Sequence, residues 1–584
     1  MRLFLVVLAA VCVASTAALA QPARPAIAVT WEAPAPLAAL FRRSLAPPRL
    51  EEGQRRGEAI RPWVRDVRKR VPEMAAAEGY FSASVEVDFS EDRSEARVVV
   101  TPGPRTTVAD VTIDFLGDLA GDGAERAARR QELRDDWDLR PGDVLRSSDW
   151  EDAKRRLEQK LVEDDYAAGR IATSEARVDA ESARATLHIV LDSGPRFTLG
   201  GVTVEGLARY PESLVRRNVD WKPGERYRMA RLTGLQRALQ NGPWFASVVV
   251  DIERDPEKAQ AVPVKVTVVE RPSIEVGLAL GYGTDNGPRA EVALRDRDLL
   301  GRGYDLQSAL RADRNDQIGY ADVYLPPFVS GARNYPTRDS VGVLAEHTNI
   351  AGLQTHRVAV AGYRQWTLET IETRCGLSYQ VETQSPQGAA TTETRALAPV
   401  AAGTWRRVDD LYDPRRGLVA NVQLAGAAKA LLSTQNFIKA YAQLQWWIPL
   451  GAVDQLIVRG ELGTTFAKSR DGIPQDFLFR AGGSRSNRGY AYQSLGPVAG
   501  NAVVGGRYLA TTNVDYIHWL NDEWGAAVFY DMGNASDSAK DWKPEKSYGV
   551  GARYRTPAGP LALDLAYAAR DRKFRIAFSV TVAF

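Results

Sequence analysis

The sequence predicts three α+β repeats followed by an integral-membrane antiparallel β-barrel of about sixteen strands. Two segments of the first half align with each other without a gap, which indicates a repeated unit. Helical periodicity stops near Ile274, and strand-like alternation separated by Gly-, Asn-, Asp- and Pro-rich turns follows. The last residues, Phe574 to Phe584, alternate large apolar with small or polar side chains up to the final aromatic.

The N-terminus has the pattern of a secretory signal peptide. Met1-Arg2 is followed by an apolar run from Leu3 to Ala14 and by Ala18-Leu19-Ala20, an A-x-A cleavage site. We therefore predict a signal peptide over residues 1–20 and export of the chain. Cys375 then remains as the only cysteine of the mature protein, so no intramolecular disulfide forms there.

Composition narrows the class of protein. The 584 residues carry 75 basic and 73 acidic side chains, and a formal net charge of +2 gives no reason to expect nucleic acid or another polyanion as a partner. After the signal peptide, no apolar window approaches the length of a membrane-spanning helix. Any membrane-integral part is therefore expected to consist of strands.

The repeats begin with matching strands. Gly103 to Asp114 aligns with Gly194 to Glu205, and each segment opens a repeat. A helix from Trp150 shows the 3.6-residue apolar period, and two strands close each repeat. A charged stretch, Glu125 to Asp138, is interpreted as an insert in the second repeat. A looser first copy begins at Ile27 to Trp31.

The order strand, helix, helix, strand, strand resembles polypeptide-transport-associated (POTRA) domains. We predict three of them, at residues 26–103, 104–193 and 194–271, although any small α+β repeat has similar spacing. Such a domain leaves a sheet edge with free backbone donors and acceptors. An extended client segment can add there as a further strand with little demand on its sequence, which suits a receptor for unfolded chains.

Residues 272–584 are predicted to form the barrel. Its first strand places five large apolar side chains on one face and small ones opposite: Ile274, Val276, Leu278, Leu280 and Tyr282. Later strands place Arg553 and Asp564 on the small-residue face. Because a charge at the midplane of the lipid face costs about 2–4 kcal/mol, that face is predicted to line the lumen. An ordinary soluble sandwich strand alternates in the same way and stays an alternative for the last segment.

Aromatic residues near strand ends are interpreted as interface girdles. They are Trp446, Trp447, Trp519, Trp524 and Tyr282. Amphipathic rings are enriched where a membrane meets water, so we expect these side chains to face outwards at that level.

A glycine-rich segment with three arginines lies between two of the strands, from Phe479 to Pro497. It resembles the sixth extracellular loop of the BamA/TamA superfamily of outer-membrane insertases, whose hallmark Arg-Gly-Tyr is here Arg488-Gly489-Tyr490. The sequence from Tyr492 to Pro497 is most similar to the TamA branch, the translocation and assembly module. Phe529-Tyr530-Asp531-Met532-Gly533 matches the superfamily's inward Phe-x-Asp-x-Gly motif, and alternation places Phe529, Asp531 and Gly533 on one face.

The resemblance implies how the protein works. By this resemblance, the loop is expected to fold back into the lumen, where Arg488 donates to Asp531. The barrel is likewise expected to insert and assemble outer-membrane and autotransporter proteins through a lateral seam between its first and last strands. Unfolded outer-membrane proteins are the expected clients, the bilayer and a TamB-like inner-membrane-anchored periplasmic protein the expected partners, and neither cofactor nor metal is implied. The barrel is expected in the outer membrane with the repeats in the periplasm.

The seam is predicted at two sets of residues. Gly277, Gly281 and Gly283 leave the first strand without cross-strand packing, and Phe578 and Phe584 belong to the last strand. Glycine also raises the entropic cost of ordering a strand, so this join is expected to be weak.

Other functions are less compatible with the sequence. The four histidines, His188, His347, His356 and His518, show no metal-ligand spacing, and no nucleophile or phosphate-binding motif is present, so an enzyme is not expected. A passive porin needs neither the repeats nor the Arg-Gly-Tyr loop. A two-partner-secretion transporter or a general barrel-assembly subunit of the same superfamily stays an alternative.

Overall fold

A computed structural model of the chain describes residues 27–49, 56–326, 337–368, 370–557 and 559–580. The predicted signal peptide, residues 1–20, lies outside the described residues. Two compact units make up the chain: Met1–Gly201 with Lys222–Arg231 and Ile252–Val264, and Val202–Trp221 with Leu232–Asp251 and Lys265–Phe584. Among the helices of the described ranges, none combines the length and apolarity that crossing a membrane requires.

The first repeat is a three-stranded sheet covered by two helices. Its elements are β1 (Ala28–Glu32), α1 (Ala35–Ser44), α2 (Arg56–Ala77), β2 (Ser84–Phe89) and β3 (Glu95–Thr101). The strand order is β1-β3-β2, with β1 parallel and β2 antiparallel to β3. Phe41, Val67 and Val98 are fully buried between helices and sheet, which is the arrangement that the alternating and 3.6-residue apolar patterns produce.

The next two repeats have the same order of elements. They comprise β4 (Thr107–Leu116), α3 (Ala124–Asp135), α4 (Ser147–Glu163), β5 (Arg170–Asp179) and β6 (Arg184–Asp192), then β7 (Leu199–Glu205), α5 (Ser213–Arg216), α6 (Met229–Gln240), β8 (Phe245–Ile252) and β9 (Val262–Glu270). The sheet orders are β4-β6-β5 and β7-β9-β8.

The interpretation of Glu125 to Asp138 as an insert is wrong. This stretch contains α3, the first helix of the second repeat. Its polarity conceals the helix because Leu133 is the buried side chain of α3, while Arg129, Arg130 and Arg134 donate to backbone carbonyls of Lys160, Leu119 and Ile113. Long side chains whose charged groups bond to carbonyls can cover a sheet without an apolar stripe.

The second half forms a 16-stranded antiparallel, nearly closed barrel, which confirms the predicted fold. Each strand pairs with the next along the chain, except that β20 pairs with β23. The sixteen strands are β10 (Ile274–Gly283), β11 (Gly287–Leu299), β12 (Tyr304–Ala312), β13 (Asp316–Tyr324), β14 (Thr337–Ile350), β15 (Leu353–Leu368), β16 (Ile371–Pro386), β17 (Thr392–Val408), β18 (Gly417–Ala427), β19 (Phe437–Leu450), β20 (Asp454–Phe466), β23 (Tyr508–Trp519), β24 (Trp524–Ser536), β25 (Glu545–Tyr554), β26 (Leu561–Ala568) and β27 (Lys573–Val580). The segment between β20 and β23 contains a two-stranded hairpin, β21 (Val498–Ala499) with β22 (Ala502–Val503).

The outer face is apolar and the inner face is polar or small. Leu278 and Leu280 of β10 are 78% and 90% exposed, whereas Arg553 and Asp564 are 4% and 2% exposed. This is the orientation predicted from the cost of a charge on a lipid face. We call the end of the barrel where β10 begins the entry end and the end where β10 and β20 finish the loop end.

Two of the tryptophans predicted to form interface girdles face the barrel interior instead of the outer face. Trp446 and Trp524 are exposed on the outer face, but Trp447 and Trp519 are only 1% and 8% exposed and pack with Ile457 and Ile517 inside the barrel. Adjacent residues of a strand point to opposite faces, so Trp446 and Trp447 cannot both face outwards.

Candidate functional site

The loop between β20 and β23, residues 467–507, fills the barrel at the loop end. Its base is closed by two backbone hydrogen bonds, from Phe479 N–H to Gly506 O at 2.9 Å and from Gly506 N–H to Phe479 O at 2.8 Å. Tyr490 and Leu495 of the loop are buried against the inward-facing Leu509 and Ala568. The loop therefore occupies the lumen.

Arg488 and Asp531 meet at the centre of the site. Arg488 donates through Nε to Asp531 Oδ2 at 2.8 Å and through Nη2 to Oδ1 at 2.6 Å, and its backbone N–H donates to Oδ2 at 2.9 Å. The side chain of Asp531 is fully buried and Arg488 is 5% exposed. Because the planar guanidinium matches both carboxylate oxygens, the contact fixes the orientation of the loop as well as its position.

Two further carboxylates surround the same guanidinium. Arg488 forms ion pairs with Asp564, at 3.1 Å, and with Asp515. Asp564 also binds Arg553 at 2.5 Å. The site therefore combines three carboxylates with two guanidiniums inside the barrel, and removal of one member leaves a buried charge without its partner.

Sequence reasoning did not assign Asp515 or Asp564 to the site. Alternation along β23 places Asp515 on the same face as Asn513, which lies opposite Asp531 in the ladder. This alternation was the available signal. It identifies a lumen-facing carboxylate, but the partner of that carboxylate depends on the path of the loop.

Phe529 of the strand motif contacts the Arg488 guanidinium, and two glycines leave space for side chains near the site. The Phe529 ring lies under Arg488, with the guanidinium carbon 3.5 Å from the ring centre, a cation–π contact. A Cβ at Gly549 would lie 2.6 Å from Phe529 Cζ, and one at Gly533 would lie 2.7 Å from Thr511 Cγ2. Glycine at both positions leaves space for the neighbouring side chains.

Gly489 and Tyr490 attach the loop to β25 and the turn after β26. The Gly489 N–H donates to Ser547 Oγ at 3.2 Å, and a Cβ at Gly489 would lie 2.5 Å from Ser547 Cβ. The Tyr490 hydroxyl donates to Glu545 at 3.2 Å and accepts from the backbone N–H of Arg570 at 3.3 Å. All three residues of the Arg-Gly-Tyr motif therefore contact the barrel wall.

A second set of contacts holds the loop to the opposite wall. The Gln475 N–H donates to Glu382 at 2.8 Å, and Asp476 pairs with Arg357 at 3.0 Å. Lys439 donates to the Asp476 carbonyl at 2.9 Å. The loop thus bridges the lumen from β15, β16 and β19 to β24, β25 and β26.

The entry end of the lumen is covered by the turn between β17 and β18, residues 409–416. Gln455 donates to the carbonyl of Pro414 at 2.9 Å, and Arg555 pairs with Asp413 at 3.0 Å. The Arg555 guanidinium also stacks on Trp519, 3.5 Å from the ring centre. Between this turn and Arg488 there is a cavity of about 40 Å³, which has no room for a polypeptide.

The first and last strands share no ladder in the described residues, and their described contacts lie at the loop end. β10 pairs with β11 and β27 with β26. At the loop end, the Phe578 N–H donates to Thr284 Oγ1 at 3.2 Å, and this hydroxyl donates to the Phe578 carbonyl at 3.5 Å. The join in this part of the structure therefore depends on side chains.

Gly277, Gly281 and Gly283 lie on β10, and Phe578 of β27 makes the described contact with Thr284 across the join. Gly281 and Gly283 have no atom within 4 Å of an added Cβ, and at Gly277 the nearest is the Ala293 Cβ at 3.7 Å. Phe578 is on the outer face, 37% exposed. Phe584 lies outside the described residues.

No metal centre is visible in the ranges that the structure covers. Within them, no group of three or more His, Cys, Asp or Glu side chains is arranged to hold an ion. The stacked pair His347 and His356, with ring centres 4.2 Å apart, lies on the outer face of β14 and β15.

Comparison with known proteins identifies the family. The profile of the Omp85 superfamily domain matches residues 275–584, and the POTRA profile, "Surface antigen variable number repeat", matches residues 197–271. The outer membrane protein assembly factor BamA of Neisseria meningitidis is 21% identical over 463 residues, 74% of this chain and 56% of the relative. BamA of Neorickettsia risticii is 23% identical over 427 residues, 66% of this chain and 54% of the relative. The chain thus spans about half the length of the curated relatives it matches.

A solved structure has the same fold. The crystal structure of BamA from Haemophilus ducreyi lacking POTRA domains 1–3 superposes with a TM-score of 0.67 at 16% identity, covering 81% of this chain and 98% of that chain. The profile matches more than half of the chain and includes the strands that surround Arg488. The chain therefore belongs to the Omp85 superfamily, with its barrel in the outer membrane and its POTRA region in the periplasm.

Proposed function

We propose that the protein is the outer-membrane component of a translocation and assembly module. It inserts and assembles outer-membrane proteins, autotransporters among them, through the seam between β10 and β27. Its clients are unfolded outer-membrane proteins, its surroundings are the bilayer, and a TamB-like inner-membrane-anchored protein is its periplasmic partner. The chain acts by binding and templating strands, without a catalytic residue.

One observation carries this proposal: the lumen is filled while the side of the barrel is weakly joined. The loop and the turn at residues 409–416 occupy the two ends, and the cavity between that turn and Arg488 measures about 40 Å³. β10 has an apolar outer face and no ladder to β27 in the described residues. An unpaired strand edge offers backbone donors and acceptors to an incoming strand, so a client can add at the side of the barrel.

The experiment closes the seam covalently. Gly283→Cys and Ser579→Cys, with Cys375→Ser to remove the native thiol, place two thiols across the join one residue beyond the Thr284–Phe578 contact. Gly283 has open space for a side chain. Ala562→Cys with Ser579→Cys is the matched control, because these residues pair directly in the β26–β27 ladder.

Purified variants in proteoliposomes are given an unfolded autotransporter barrel, and its folding is followed by the appearance of a heat-modifiable band. We expect the oxidised seam pair to assemble several times less client than the reduced form, and the oxidised control pair to assemble as much as its reduced form. Equal assembly by the locked and unlocked seam would contradict the proposal.

A general barrel-assembly subunit is the second candidate. The similarity to BamA from two organisms favours it. The two candidates differ in their partners, so mass spectrometry of the complex purified from native membranes separates them. A TamB-like protein in the complex supports the first candidate, and several outer-membrane lipoproteins without it support the second.

A further inference from the structure

Asp285 occupies the turn between β10 and β11 and contacts both the lumen loop and the last strand. Its Oδ2 accepts from the Ser484 backbone N–H at 2.9 Å and from Ser484 Oγ at 2.7 Å. Its Oδ1 lies 3.5 Å from Arg575 Nη2 of β27. One carboxylate therefore connects the first hairpin of the barrel, the loop and the strand on the far side of the seam.

Ser484 is tied to Arg488 through a compact backbone turn. The Asn487 N–H donates to Gly483 O at 3.0 Å, and the Gly483 N–H donates to Tyr490 O at 3.1 Å. Gly483 has φ of 101°, which favours glycine, and a Cβ there would lie 3.1 Å from Asp285 Oδ2. The segment that presents Ser484 to Asp285 is thus held by the one that presents Arg488 to Asp531.

The contact with Arg575 lies beside the Thr284–Phe578 contact at the loop end. Thr284 and Asp285 are consecutive, so one turn holds β27 through a hydroxyl and a carboxylate. The Asp285 and Arg575 side chains are 16% and 29% exposed, so solvent screens their attraction only in part. Its strength depends on the orientation of the carboxylate, which the two Ser484 hydrogen bonds determine.

We propose that Asp285 is a positioning residue that couples the lumen loop to closure of the seam. With the loop seated on Asp531, Ser484 holds the Asp285 carboxylate towards Arg575 and the last strand is retained. When the loop leaves, Asp285 loses both hydrogen bonds from Ser484 and the β27 contact weakens. The loop then acts as a sensor whose release favours lateral opening. This inference rests on the proposed function, since it assumes that the seam opens.

The test measures the seam in purified protein without a client. The rate of disulfide formation between Gly283→Cys and Ser579→Cys, in the Cys375→Ser background, reports how often the two strands are adjacent. We expect Asp285→Asn to slow cross-linking about fivefold, the scale of a partly exposed ion pair with its hydrogen bonds. Arg575→Gln removes the other partner and is expected to slow it similarly.

Asp316→Asn is the matched control. Asp316 lies at the start of β13 and pairs with Arg311 at 2.8 Å. The Asp316 and Arg311 side chains are 15% and 28% exposed, close to the values for Asp285 and Arg575. It contacts neither the loop motif nor β27 in the described contacts. Cross-linking is expected to proceed at the parent rate, and each variant is first shown to be folded by heat-modifiable migration.

Coupling is tested with a double variant. Arg488→Ala, which releases the loop, is expected to slow cross-linking when Asp285 is present and to have little further effect in Asp285→Asn. Fully independent effects, or an unchanged rate in both Asp285→Asn and Arg575→Gln, would overturn the inference. The proposed function is tested by client assembly, whereas the coupling is tested by disulfide formation without a client. Loss of the first with the second intact would therefore contradict the proposed function alone.

Discussion

Arg488 and Asp531, 43 residues apart in the chain, bind each other through two side-chain hydrogen bonds of 2.8 and 2.6 Å in the interior of the barrel. The same carboxylate also receives the Arg488 backbone N–H. Asp531 therefore binds both the charged side chain of Arg488 and the backbone of the loop. Asp515 and Asp564 add two more carboxylates, so the loop is held by a network with members on β23, β24 and β26.

The network predicts a large loss of stability for Arg488→Ala. Removing the guanidinium leaves Asp531 buried with a charge and no ionic partner, which costs about 3–5 kcal/mol. Arg488→Lys is expected to lie between Ala and the parent, because an ammonium cannot bind both oxygens of Asp531 in one plane. Unfolding in urea, followed by loss of heat-modifiable migration in detergent, measures the difference. The exposed Arg485, in the same loop, provides the control Arg485→Ala, and an equal loss in that variant would show that the loop as a whole is sensitive to truncation.

Gly489 is expected to resist substitution for steric reasons. An alanine Cβ would lie 2.5 Å from Ser547 Cβ and 3.0 Å from Ala568 Cα, so Gly489→Ala must displace the loop from β25 and β26. A loss of about 1–3 kcal/mol is expected, as for overpacking of a core. Protease access to the loop in intact cells gives an independent measure. Gly201→Ala, where no atom lies within 4 Å of the added Cβ, is expected to match the parent, and a Gly489→Ala loop as protected as the parent would contradict the steric argument.

The two closures of the lumen predict how conductance responds. Arg555→Ala removes the ion pair with Asp413 and the stacking on Trp519, so the turn at residues 409–416 loosens. Because the loop still occupies the loop end, single-channel conductance in planar bilayers is expected to stay close to that of the parent. Arg555→Ala combined with Arg488→Ala frees both ends and is expected to conduct several times more than either single variant. High conductance in Arg555→Ala alone would mean that the loop does not block the lumen.

The periplasmic region predicts a pH dependence. The hydrogen bond from Arg126 holds the pKa of Asp118 at about 2, below its usual 3.8. Tyr166 and Arg196 donate to the same carboxylate at 2.9 Å each. Since the folded-state pKa is lowered, the stabilisation is fully present above about pH 4 and is lost as the pH falls through about 2.

Asp118→Asn tests this assignment. At pH 7 the substitution is expected to cost about 1 kcal/mol after solvent screening, and the difference from the parent should vanish as the pH approaches 2. Amide hydrogen exchange of α3 in the full-length protein, corrected for the intrinsic rate at each pH, measures it. Asp122→Asn, next to the same helix, is the control. If the stability difference between Asp118→Asn and the parent grows on acidification, the pKa of Asp118 is not lowered in the folded protein.

Much of the architecture could be predicted because strand alternation leaves a regular trace. A period of two assigns each side chain of β10, β26 and β27 to one face, and a charge such as Asp564 can be accommodated only in the interior. The prediction for α3 was wrong because this helix has no regular apolar pattern. This helix covers its sheet with arginines that bond to carbonyls, and its apolar pattern is reduced to Leu133.

The site could be predicted only in part. The sequence motifs point to Arg488, Asp531 and Phe529, and the structure brings these three residues together. Asp515, Asp564 and Asp285 carry no local motif. The partners of these aspartates depend on the path of a 41-residue loop, residues 467–507, through the lumen. Period-two alternation contains no information about that path.

By itself, the sequence determined the division into repeats and a barrel and the alternation of apolar and polar faces along the strands, because these follow from local composition and periodicity. The tertiary structure alone decided that Trp447 and Trp519 pack inside the barrel, that three aspartates share Arg488, and that Asp285 links the loop to the last strand. Those contacts join residues far apart in the chain, and they depend on strand register and loop path. Strand register and loop path are properties of the assembled barrel, and no short segment of sequence contains the energies that set them.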